Sequence, residues 1–156
     1  MEFKELLAAF AAKYGIKELD GADGVAELYV EGVHVELLND SRTHSLLAYA
    51  EIGNPPPDAD DKFRTTMLEA NSLLRGTEGA TLCRNPETHA YALLRQFPLA
   101  STDIETLAAG LESLASQTES WSEALAGLRA AETGRTKHEE SGDSHHDMLS
   151  SGYFHV

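Results

Sequence analysis

A single cysteine, Cys83, stands in a chain of 156 residues. No internal disulfide can form, so a reducing compartment is the natural setting. Positive charge is scarce too: 12 Lys and Arg face 26 Asp and Glu, a formal net charge of −14. Nucleic acid and anionic membrane surfaces are dense in negative charge, and such a chain is repelled by both. No apolar run reaches the roughly 18–20 residues that span a bilayer. The opening MEFKELLAAF lacks the charged-then-apolar layout of a secretory signal. The motifs GxGxxG, Walker loop, HExxH, GxSxG and CxxC are all missing, as is the repeating DxDxDG pattern of a calcium loop. These absences predict an acidic cytoplasmic protein, with no enzymatic activity, cofactor or bound metal.

What is present is a regular alternation of short elements. Phe3, Leu6, Leu7, Phe10 and Tyr14 recur at helical spacing over Glu2–Tyr14, and Gly15 stops the helix. After a glycine- and aspartate-rich turn, Val25–Val30 and Val33–Leu38 flank a tight Glu31-Gly32 turn, and Thr43–Ile52 forms a third run. Pro55, Pro56 and Pro57 end the ladder, because proline neither donates to a sheet nor enters a helix interior. Asp58–Asp61 then open a second helix, whose apolar face carries Phe63, Met67, Ala70 and Leu74. Two further strands, Ala80–Arg84 and His89–Phe97, precede a long helix capped at Ser101 or Thr102. Gly110 and Gly127 weaken that helix without breaking its period. The order α-βββ-α-ββ-α predicts an α+β fold with a twisted antiparallel sheet. Residues 1–130 form this domain. Residues 131–156 are polar, acidic and histidine-bearing, the composition of a disordered tail.

The histidines carry little chemistry. His34, His44 and His89 fall on strands far apart in sequence, and His138, His145, His146 and His155 lie in the tail among acids. Cys83 sits among apolar neighbours, as a small core residue does. The informative pattern is in the sheet. Leu46, Ala48, Ala50 and Ile52 alternate with Leu47 and Tyr49, and Tyr91, Leu93 and Phe97 alternate with Ala92 and Leu94. Both faces are partly apolar, whereas a sheet with one wet face alternates cleanly. Three helices hardly cover both, and leftover apolar surface points to a protein partner.

The chain resembles the class I chaperones of type III secretion, the Tir-chaperone (CesT/SycE-like) family. The resemblance lies in Met67-Leu68-Glu69-Ala70-Asn71, Gly79-Ala80-Thr81-Leu82, Tyr91-Ala92-Leu93-Leu94 and Phe97-Pro98-Leu99, followed by a long helix with Trp121. Leu6-Leu7 to Gly15-Ile16, Asp23-Gly24, and a meander ending at Gly53 and Pro55 match as well. It spans residues 2–129. The triple proline is longer than the family's usual single one, and the tail has no counterpart.

This resemblance implies a homodimer that holds the N-terminal segment of a secreted effector in extended form, soluble and ready for export. It also leaves room for contact with the secretion ATPase. A protein-binding adaptor or regulator of the same fold is the alternative reading. A small metal-binding protein or enzyme using His34, His44 or the tail ranks below both. Leu7, Phe10 and Tyr14, with Val30 or Val35, are the candidates for one effector-binding groove. Leu28 and Leu47 are candidates for a patch on the sheet. Met67, Ala70, Asn71 and Leu74 are the candidates for dimer contact, with Asn71 fixing register through its amide or, alternatively, bonding a local backbone group.

Overall fold

Glu2 starts the first helix through a reciprocal capping box. Its carboxylate accepts from the Glu5 backbone, and the Glu5 carboxylate accepts from the Glu2 N–H at 3.0 Å. The helix α1 (Phe3–Tyr14) then buries Phe3, Leu6, Leu7 and Phe10. It ends on Gly15 in the left-handed conformation, at φ 67°. The structure is a computed structural model and describes residues 2–140, with side chains through residue 131.

The five strands are β1 (Val25–Val30), β2 (Val33–Asp40), β3 (Ser45–Gly53), β4 (Thr81–Arg84) and β5 (Tyr91–Pro98). They form one antiparallel sheet in the order β1-β2-β3-β5-β4. Glu31 and Gly32 join β1 to β2 with φ of 50° and 88°, the geometry of a two-residue type I′ hairpin. The helices α2 (Asp60–Asn71) and α3 (Ile104–Glu140) complete the α+β fold. The sheet's inner face, with Val35, Leu37, Leu46, Ala48, Ala50 and Leu93, packs under α3 in one core with Leu107, Leu111 and Leu114. Phe63 ties α2 to this core, its ring 5.0 Å from that of Tyr91 and 5.9 Å from that of Trp121.

Several boundaries differ from those expected. His44 and His89 lie in turns with positive φ, outside the strands they were expected to occupy. The cap of α3 is Asp103, whose Oδ1 accepts the Thr106 N–H at 2.8 Å. Thr102 is buried instead, and its hydroxyl donates to the Pro98 carbonyl at 2.7 Å. The second helix stops at Asn71, because Leu73 and Leu74 turn left-handed, at φ 57° and 53°. The third helix runs through Glu140, so residues 131–140 of the expected tail are helical. The remaining tail, with His145, His146 and His155, lies outside the described residues.

Candidate functional site

The groove forms where α1, β1 and α3 meet. Phe10 and Tyr14 stand one turn apart on α1, and their rings lie 4.8 Å apart. Leu28 and Val30 face them from β1, and Ala108 and Leu111 form the floor from α3. With Ile16 these residues line a cavity of about 240 Å³ whose rim carries Tyr29, Glu31 and Glu112. An ion pair between Lys13 and Glu105 clamps α1 to α3 beside it. The hydrogen bond and charge of each partner favour the ionised form of the other, raising the Lys13 pKa and lowering that of Glu105. Tyr14 is 48% exposed, an aromatic surface open to a partner.

Three of the proposed groove residues thus come together, Phe10, Tyr14 and Val30, and they are joined by Leu28, which was expected in a patch on the sheet instead. Leu7 and Val35 do not. Both are sealed in the core, and Val35 faces Leu28 directly across the β1–β2 ladder. Helical and strand periods mark an apolar face but not which part of it is covered, and α3 covers this one. Leu28 and Leu47 cannot share a patch. Leu28 pairs with Val35 on the inner face, while Leu47 pairs with Leu38 on the outer. Ile16, Ala108 and Leu111 line the groove without having been singled out, since they come from a loop and a helix distant in sequence.

A second apolar surface lies at the end of α2. Leu68, Leu73 and Leu74 are 73%, 76% and 44% exposed. Of the residues expected there, only Leu74 belongs to it. Met67 is buried in the core, and Ala70 packs against Gly76, where an added Cβ would sit 2.9 Å from the Ala70 Cβ. Asn71 bonds within the protomer, to the backbone of Leu82 on β4. Leu68 did carry a signal: it is an apolar residue on the polar side of an amphipathic helix.

Little else offers chemistry. Among the described residues no three His, Cys, Asp or Glu side chains converge as a metal site. His34 Nε2 lies 3.2 Å from Glu27 Oε2. Burial pushes the Cys83 thiol up, away from a reactive thiolate. Burial also pushes the Tyr49 hydroxyl up to about 12, so it stays protonated. Among the described residues no helix is long and apolar enough to cross a membrane.

The comparisons agree with this architecture. The structure is similar to a chain of the HopA1–SchA chaperone–effector complex, with a TM-score of 0.66 and 20% identity, over 78% of this chain and 93% of that one. It is similar also to a chain of the ExsC–ExsE complex, at TM-score 0.65 and 23% identity over 80% and 97%. A third is the Yersinia pestis type III secretion chaperone SycH in complex with a fragment of YscM2, at TM-score 0.60 and 18% identity over 76% and 98%. At such identities these likenesses establish the fold. No curated relative matches the sequence. The model of the Tir chaperone protein (CesT) family matches residues 5–122, and the chain belongs to that family.

Proposed function

We propose that this chaperone is a homodimer that captures the N-terminal segment of a secreted effector as an extended chain and holds it, in the bacterial cytoplasm, for type III export. The single observation that carries the reading is the open apolar groove of Phe10, Tyr14, Leu28 and Val30, set in a chain of this chaperone family. A groove of this size takes one or two apolar side chains. Extended segments bind by placing alternate side chains in such pockets. No step requires a nucleophile, an acid–base pair or a metal, and binding alone performs the work.

Leu68, Leu73 and Leu74 are the proposed dimer contact, replacing the core residues of the same helix. Three exposed leucines within seven residues are costly in water, and a second copy of this surface would cover them.

Co-expression with the products of neighbouring genes, followed by pull-down and limited proteolysis, tests the function. The expected result is a partner protected only over an N-terminal segment of about 50–100 residues, the span of a coupled-folding interface. Capture of a fully folded partner, or no capture, would count against it. Light scattering tests the dimer: a mass near twice 16.9 kDa is expected, and a lasting monomer would refute it.

A further inference from the structure

The ladders of the sheet end at different heights. The β1–β2 ladder runs to Val30↔Val33, and the β3–β5 ladder runs to Gly53↔Tyr91. The ladder between them, β2–β3, stops at Glu36↔Tyr49. Val33–Val35 therefore lean away from β3, and the sheet opens there into a cavity of about 490 Å³. Thr118, Glu119 and Ser122 of α3 show through from behind, while Tyr49 and Glu51 form the β3 wall.

The opening is acidic. Glu36, Glu51 and Glu119 line it, and among the described residues no Lys or Arg does. Glu51 already accepts hydrogen bonds from the hydroxyls of Tyr49 and Thr88, at 3.1 and 3.3 Å. Among the described residues Glu36 and Glu119 have no hydrogen-bond or ion-pair partner. His34 is held to Glu27 on the same hairpin.

The apolar groove and this opening lie on either side of the β1–β2 hairpin tip, and both rest on α3. Glu31 borders the first and Gly32 the second. On α3, Glu112 borders the groove and Glu119 the opening. Seven helical residues correspond to about 10 Å at 1.5 Å each. An extended chain covers that in roughly three to five residues at about 3.3 Å each.

We infer that the two cavities act as a pair, reading an apolar residue and a basic residue three to five positions apart in one extended segment. The apolar side chain enters the groove. The basic one crosses the hairpin tip and places its charge among Glu36, Glu51 and Glu119, with the Tyr49 ring as a face for the cation. This rests on the groove being the peptide site, and it adds a selection rule that apolar packing alone lacks. Charge complementarity names the occupant: a basic side chain gains from all three carboxylates, and an acidic one is repelled by them.

The test is an NMR titration of the full-length, ¹⁵N-labelled protein with synthetic 12-residue peptides on a Ser/Gly/Thr background. One carries a single Leu. Others carry Leu with Arg at one, four or eight positions on either side, and one has Glu in place of that Arg. The Leu peptide is expected to shift the amides of Tyr14 and Val30. Arg four positions away should also shift His34, Glu36 and Glu119, and bind roughly 2–5-fold tighter for each carboxylate engaged. The gain should shrink as salt is added. The double variant E36Q/E119Q should lose the gain and keep the affinity for the Leu peptide. If Arg adds nothing, adds equally at every spacing, or keeps its advantage in the double variant, the pairing of the two cavities is wrong. If even the Leu peptide leaves Tyr14 and Val30 unmoved, the groove itself is misassigned and the inference falls with it.

Discussion

The side-chain amide of Asn71 holds both backbone groups of Leu82. Its Oδ1 accepts the Leu82 N–H at 2.8 Å, and its Nδ2 donates to the Leu82 carbonyl at 3.0 Å. An amide has the same donor–acceptor pair as a peptide unit, so Asn71 stands in for one residue of a neighbouring strand at the outer edge of β4. It also ties the end of α2 to the sheet. Asn71→Asp keeps the acceptor and removes the donor, and it sets a carboxylate against the Leu82 carbonyl. The expected cost is about 1–3 kcal/mol of unfolding free energy, measured by urea denaturation. Asn71→Gln, one methylene longer, should not restore the pair of bonds. An unchanged urea midpoint in Asn71→Asp would show the contact to be incidental.

The two glycines of α3 should respond in opposite directions. An added Cβ at Gly110 would meet the Phe97 ring at 2.4 and 2.5 Å, so Gly110→Ala overpacks the helix against β5 and should cost about 1–3 kcal/mol. Gly127 has nothing within 4 Å, so Gly127→Ala should gain about 1 kcal/mol from helix propensity alone. Thermal midpoints of the two variants, one falling and one rising, check both.

Tyr14 allows the groove to be probed without breaking the core. Tyr14→Glu changes a half-exposed ring and should abolish partner capture while leaving the melting curve nearly unchanged. Phe10→Ala removes a buried ring from the core cluster and should cost about 3–5 kcal/mol. Its binding defect would then be confounded by instability. Normal capture by Tyr14→Glu, in a folded protein, would move the binding site elsewhere.

Acid should loosen the junction of α1 and α3. The bonds to Thr106 hold the Asp103 carboxyl below its ordinary 3.8. The hydrogen bond from Lys13 holds Glu105 below 4.5, and the Thr43 hydroxyl lowers Asp40 in the β2–β3 turn. Depressed carboxylate pKa values contribute stability that is full above the ordinary range and lost as pH falls through the folded values. The thermal midpoint should therefore be level near neutrality and decline below about pH 4. Lys13 is raised, so its share persists up to its ordinary 10.5 and is lost above it. Asp103→Asn keeps a capping side chain but cannot titrate, and should show a shallower acid decline. An equally steep decline would remove Asp103 from the account.

Much of this was readable in the chain because it depends on local periodicity. The stripe of α1, the Glu31-Gly32 turn and the alternation of β3 and β5 each follow from the sequence within a few residues. What could not be read depends on which side of an apolar element is finally covered. Leu7 and Phe10 look alike along α1, yet only Phe10 reaches the groove. Met67 and Leu68 are adjacent, and one is core while the other is surface. Gly110 and Gly127 look equally disruptive in the sequence, and only the ring of Phe97 distinguishes them. Asn71 lay open between two roles because its partner, Leu82, lies eleven residues away on another element.

The sheet has two outer strands, and they are not equivalent. At β4 the outward-facing groups of Leu82 are already taken. The outer edge of β1 carries no such plug among the described residues. A visiting strand therefore finds one side of the sheet closed and the other open, and the order β1-β2-β3-β5-β4 can be extended in one direction only. Growth on that side ends after one newcomer if the newcomer brings charge or proline on its far edge. With one edge closed, pairing at the other cannot repeat edge to edge into an open-ended assembly.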